Sequence, residues 1–100
     1  MFARVSTYRA ADADKLLEGF QSITGPLERI DGFAQAFFLV DRSSGKAMSI
    51  TLWESEQALS ASAAKADELR KQGSETGGAS IDSVENYEVG LTIGSAMTPR

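Results

Sequence analysis

Residues 37–59, FFLVDRSSGKAMSITLWESEQAL, limit what this chain can fold into more than any other stretch. They read as a strand, a tight polar loop, a return strand that ends on the only tryptophan, and the opening of a helix. The first of these strands, residues 33–41, is apolar on both sides: Phe33, Phe37 and Leu39 alternate with Ala34, Ala36, Phe38 and Val40. A strand with one wet face carries polar residues at every second position, so this one needs cover on both faces. The loop Arg42-Ser43-Ser44-Gly45 suits a four- or five-residue hairpin with Gly45 at positive φ. The return strand, Lys46 to Trp53, places Met48, Ile50 and Leu52 on one face and Ala47, Ser49, Thr51 and Trp53 on the other.

The flanking chain supplies the partners. Phe2 to Arg9 is rich in β-branched and aromatic residues and is expected to be a strand. Asp12 is placed to cap a helix whose apolar stripe is Leu16, Leu17, Phe20, Ile23, Leu27 and Ile30. Gly25-Pro26 interrupts that stripe and predicts a kink there, or a break into two short helices. Ser55 is an N-cap for a second helix to about Gln72, with Leu59, Ala63, Ala66 and Leu69 inward and Gly73 as its stop. So little bulk on the buried side brings the helix close to its sheet or leaves space for something else. Residues 73–80 read as a Gly-, Ser- and Thr-rich loop, and Ser83 to Ile93 as the last strand, with Tyr87, Val89, Leu91 and Ile93 on one apolar face. Residues 1–94 are expected to form one domain and 95–100 a C-terminal tail.

The order is β-α-β-β-α-β, so the expected fold class is α+β: a ferredoxin-like domain with a four-stranded antiparallel sheet and both helices on one face. Nothing in the chain is left to cover the other face of residues 33–41. A homodimer whose two sheets close into a barrel follows from that shortage. A core built from only one hundred residues is also thin enough to gain from a subunit partner.

Composition narrows the chemistry. Fourteen acidic residues against ten basic give a formal charge of −4, unsuited to nucleic acid or an anionic membrane. Cysteine and histidine are both absent, which removes thiol nucleophiles, imidazole bases and the ligands preferred by zinc, copper and haem iron. Carboxylates, hydroxyls, amides, Lys, Arg, Tyr and Trp remain, and no metal or other cofactor is expected. No apolar run approaches the roughly 18 residues of a membrane span, and the N-terminus lacks a basic segment followed by an apolar one. A cytoplasmic location is the default expectation.

The loop 41–46 (DRSSGK), the strand end and helix start 51–59 (TLWESEQAL) and the last-strand segment 84–89 (VENYEV) resemble the dimeric α+β-barrel superfamily, in its branch of antibiotic-biosynthesis monooxygenases. The resemblance implies a homodimer and a ligand held in each subunit between helices and sheet. It also implies activities that include oxidation of anthrone-like aromatics without metal or flavin. Trp53 matches the tryptophan that walls the pocket in that family. Haem-degrading members bind iron through a histidine on the second helix, and this chain has none, which counts against that activity. Ser6 and Thr7 stand where the family carries a first-strand asparagine, which puts an asparagine-dependent oxygenase mechanism in doubt.

Five residues are candidates for ligand binding, each with a structural alternative. The Trp53 indole would wall an aromatic ligand, or fill the gap above an alanine-rich helix. Tyr8 and Tyr87 could hydrogen-bond a phenolic substrate, or cap a sheet face with their hydroxyls at the rim. Asn86, on the opposite strand face from Tyr87, could orient a carbonyl or enolate oxygen. Arg4, on the same strand face as Tyr8, could stabilise a phenolate or superoxide, or form a salt bridge. The acidic cluster Asp12, Asp14 and Glu18 suits a helix start better than a metal site. The glycines of 73–78 follow a helix and lack a phosphate-loop lysine. No catalytic residue is assigned. The readings left open are a cofactor-independent monooxygenase-like protein that binds a flat apolar or aromatic molecule, and a non-catalytic binding, structural or regulatory dimer of the same fold.

Overall fold

Alternation over residues 2–9, 33–41 and 46–53 produces strands with the expected bounds. A computed structural model describes residues 1–94 in the order β1 (Phe2–Arg9), α1 (Ala13–Gln21), α2 (Thr24–Glu28), β2 (Phe33–Asp41), β3 (Lys46–Trp53), α3 (Glu56–Ala61), α4 (Ala63–Thr76) and β4 (Ser80–Glu88). The expected tail, 95–100, lies outside the described residues. The sheet is antiparallel throughout, with strand order β2-β3-β1-β4. This is the ferredoxin-like α+β arrangement. The hairpin turns at Gly45, whose φ of 77° is open to glycine at little cost.

Both helical segments split, and not where the sequence suggests. The first breaks at Ser22-Ile23, ahead of Gly25-Pro26. Ser22 and Thr24 hydroxyls donate to the carbonyls of Gly19 (2.6 Å) and Gln21 (3.0 Å), which closes α1 early. Pro26 then falls in the first turn of α2, where a backbone N–H would have had no acceptor within the helix. The second segment breaks at Ser62, whose hydroxyl donates to the Leu59 carbonyl at 2.8 Å. Past the break Ala63 is exposed, and Ser62, Ala66, Leu69, Arg70, Gly73 and Ser74 turn inward.

Gly73 is not a stop. α4 runs on to Thr76 and is capped by Gly77, so the connection to β4 is shorter than expected. The reason is close contact between helices. A methyl group at Gly73 would lie 3.2 Å from Phe20 Cδ1, and one at Gly77 would lie 2.6 Å from Leu16 Cα. Glycine at these positions lets α4 lie on α1 at a distance no larger residue permits.

Two further expectations are corrected. A bulge at Ala34 shifts the β2–β3 register between Phe33 and Gln35, so Phe33 faces the helices with Trp53 instead of sharing a side with Phe37 and Leu39. β4 begins at Ser80 and ends at Glu88; one last backbone bond joins the Val89 N–H to the Met1 carbonyl at 2.9 Å. Leu91 and Ile93 lie past it and are exposed, because β1 has no residue left to pair with them.

The core lies between helices and sheet as two clusters, Ile23, Leu27, Trp53, Leu59 and Leu69 in one and Tyr8, Leu16, Phe20 and Ala47 in the other, with Phe38 packed against both. The opposite sheet face carries Val5, Phe37, Leu39, Met48, Ile50 and Leu52, which follow from the registers, and among the described residues no helix lies over it. Leu39 there is 48% exposed.

Candidate functional site

Polar side chains sit beneath α4 where a small domain would ordinarily place apolar ones. Strand alternation turns Arg4, Ser6 and Tyr8 of β1 and Ser49, Thr51 and Trp53 of β3 toward the helices. α4 contributes Arg70, four residues after Ala66 and eight after Ser62, on the stripe that faces the sheet. Together with Phe20, Ile23, Leu27, Phe38, Ala66 and Leu69, most of these residues enclose a cavity of about 30 Å³. Its floor on β1 and β3 is polar and its helical roof is largely apolar.

The polar groups are held in fixed positions. Arg4 Nη2 donates to the Leu59 carbonyl at 2.7 Å and Nη1 to Ser62 Oγ at 3.2 Å, which fastens β1 to the α3–α4 break. Arg70 Nε donates to Ser6 Oγ at 3.0 Å, and its Nη1 meets Asp67 Oδ1 at 2.8 Å. The Tyr8 hydroxyl bonds Ser49 Oγ at 2.8 Å, and its ring meets Phe20 edge-on at 5.1 Å; Phe20 in turn stacks on Phe38 at 4.6 Å. Arg4 and Arg70 are only 5% and 8% exposed. Burial, and then the like charge of Arg70, lower the pKa of Arg4; Asp67 partly opposes them. Burial raises the pKa of Tyr8 against the pull of its Ser49 hydrogen bond, which keeps this phenol protonated.

The five sequence candidates separate. Arg4 and Tyr8 line the cavity. Trp53 lies beside it, fully buried: its Nε1 donates to Thr51 Oγ1 at 2.9 Å, Phe33 meets it edge-on at 5.6 Å, and the Arg4 guanidinium lies 5.6 Å from its ring centre. It backs two lining residues and is not itself a wall. Asn86 pairs with Arg4 and shares its face, but it is exposed on edge strand β4. Tyr87 is 51% exposed and belongs to the opposite face, opposite Ala3. The acidic cluster is spent on structure: Asp12 caps α1 and Asp14 pairs with Arg42 at 2.6 Å.

Arg70 and Ser6 escape sequence reasoning. The signal for Arg70 was its four-residue spacing from Ala66, which puts it within the inward stripe, but an arginine there reads as reaching to solvent until its partners on β1 are known.

A second hollow of about 470 Å³ lies at one end of the uncovered sheet face, among Thr7, Arg9, Leu39, Asp41, Lys46, Met48 and Asp82. It is larger, but Arg9 is already paired with Asp82 at 3.3 Å and its apolar floor continues the uncovered face. The buried polar groups belong to the first cavity, which is therefore the candidate site. Among the described residues no helix is long and apolar enough to cross a membrane.

No protein-family model and no curated protein matches the sequence. Solved structures do match the fold. The cofactor-independent oxygenase SnoaB from Streptomyces nogalater superposes with a TM-score of 0.71 at 14% identity over 94% of this chain and 97% of its own. The heme-degrader MhuD from Mycobacterium tuberculosis, solved with two hemes in its active site, gives 0.73 at 20% identity over 94% and 100%. The monooxygenase ActVA-Orf6 of Streptomyces coelicolor, in complex with nanaomycin D, gives 0.60 at 20% over 99% and 92%. At these identities the likeness concerns the fold: the chain has the ferredoxin-like α+β fold of antibiotic-biosynthesis-monooxygenase-like proteins.

Proposed function

We propose that this chain, built on the fold of antibiotic-biosynthesis monooxygenases, is a homodimeric, cofactor-independent oxygenase of a flat, largely apolar organic molecule held between helices and sheet. The observation that carries the reading is the amphipathic cavity: hydroxyls and the Arg4 guanidinium on the floor, and a roof of aromatic and aliphatic carbon into which α4 brings Arg70. Such a site orients a planar ligand with its oxygen substituents toward β1 and β3. The chemistry is substrate-assisted. A hydroxyaromatic ketone loses a proton, the resulting anion gives one electron to O2, and the radical pair combines to a peroxide at carbon. Loss of water from the peroxide leaves a carbonyl, with one oxygen atom in the product and one in water. The protein supplies orientation, exclusion of solvent and hydrogen-bond donors. The second subunit covers the apolar face of Val5, Phe37 and Ile50.

One observation favours a second reading, a non-catalytic dimer of the same fold. A cavity of about 30 Å³ holds about two waters, whereas ligand pockets run to several hundred Å³. An aromatic substrate therefore needs α3 and the start of α4 to swing outward about the break at Ser62. Oxygen uptake in metal-free buffer with anthrones and quinols separates the two. Turnover above the spontaneous rate, abolished by the cavity-filling Ala66→Val, supports the oxygenase. No turnover across the panel leaves the non-catalytic dimer.

A further inference from the structure

We infer that the helix–sheet cavity is an anion site, and that its ligand carries an ionised oxygen (an enolate, phenolate or carboxylate) bound between Arg4 and Arg70. This deepens the reading above and rests on its placement of the ligand in this cavity.

The argument is one of uncompensated charge. Two arginines, each more than nine-tenths buried, line one small cavity, and the arginine side chain is a cation. The partners of Arg4 are a carbonyl and a hydroxyl, which satisfy its hydrogen bonds but bring no negative charge. The carboxylate facing Arg70 is Asp67, at the rim with its side chain 54% exposed and shared with Lys71 at 3.6 Å. Among the described residues no acidic one lines the cavity. Burial of a charge without a counter-charge is unfavourable, and burial of two like charges together more so. A structural role for Arg4, fastening the helix break, explains its hydrogen bonds but not why a second cation lies beside it. A monoanion in the cavity turns that mutual repulsion into two attractions.

The lining also limits what the ligand can be. It offers cations and neutral hydroxyls, and Tyr8 is held in its protonated form. With no base in the cavity, the site holds an anion but does not make one by abstracting a proton. The ligand must be acidic enough to ionise in water beside two cations, as enolised 1,3-dicarbonyls, phenols and carboxylic acids are.

Formate and formamide test this on the intact protein, since both are small enough for the cavity, are nearly equal in shape and differ in charge. Each is titrated at constant ionic strength, made up with gluconate, while the Arg70 Nε–Hε resonance is followed by NMR. The expected result is a saturable shift with formate and none with formamide. Arg70→Gln should weaken formate by about tenfold or more, the loss of one charge-assisted contact. Equal responses to the two probes, or no saturable response to formate, overturn the inference in the wild type alone, whether or not the variant folds. Formate binding without oxygen uptake leaves this inference standing and removes the oxygenase. Oxygen uptake without charge selectivity does the reverse.

Discussion

The contact between α1 and α4 sets where the roof of the cavity lies, and Gly19→Ala tests it. In an isolated helix this change would be favourable, since alanine exceeds glycine in helix propensity by about 1 kcal/mol. Here the new methyl would run into the Gly73 carbonyl oxygen and lie 3.0 Å from the Gly77 nitrogen. Both are backbone atoms inside or at the end of a regular helix, so neither yields as the end of a flexible side chain would. The helices must separate instead, which strips contacts from Leu16 and Phe20, both buried against Gly77 and Gly73. Overpacking costs about 1–3 kcal/mol, and the lost contacts add to that; with the propensity gain subtracted, a net loss of about 2 kcal/mol is expected. For a chain of this size that corresponds to a fall in Tm of about 8–16 °C. Urea unfolding followed by the fluorescence of Trp53 reads the core directly, at one fixed protein concentration because the proposed dimer would make apparent stability depend on it. Gly90→Ala is the control, since beyond its chain neighbours its methyl would meet nothing within 4 Å. It should match the wild type or exceed it slightly. A Gly19→Ala protein as stable as the wild type, or a Gly90→Ala protein that loses as much, would refute the packing argument.

Two other perturbations probe the floor of the cavity and the uncovered face. Tyr8→Phe should cost about 1 kcal/mol at neutral pH by removing the bond to Ser49. Because burial raises the Tyr8 pKa above its ordinary 10.0, the unfolded chain ionises first, so the wild type loses stability as pH climbs from that value toward the folded one. The variant lacks this loss; urea unfolding from about pH 8 to 11 should show the gap between the two proteins closing, and a constant gap would remove Tyr8 from the account. Leu39→Lys puts a charge on the uncovered face at an exposed position of edge strand β2, where the subunit itself is little affected. Light scattering should find a dimer in the wild type and a monomer in the variant; equal masses would show that this face is not the interface.

The sheet was legible because its pattern is local. β1, β2 and β3 begin and end where alternation, the Gly45 loop and the polar residues around it place them, and the caps at Asp12 and Ser55 form as their chemistry predicts. The absence of cysteine and histidine and the two-sided apolarity of residues 33–41 are likewise properties of the sequence alone. The helices were less legible, because each of their departures depends on a group distant in the chain. Gly73 looks like a terminator until Phe20 is seen against it, and the break at Ser62 is secured by Arg4, fifty-eight residues earlier. The same distance hid the site. A periodicity argument treats an arginine at a stripe's edge as solvated and a tryptophan at a strand's end as a pocket wall. Only the packing of α4 on β1 buries Arg70 beside Arg4, and only the turn of Phe33 at the Ala34 bulge helps close Trp53 away from the cavity. The sequence by itself determined which residue chemistries were present and where three of the four strands begin and end. The tertiary structure decided which charges share one cavity, because burial and mutual repulsion depend on neighbours that no local pattern records.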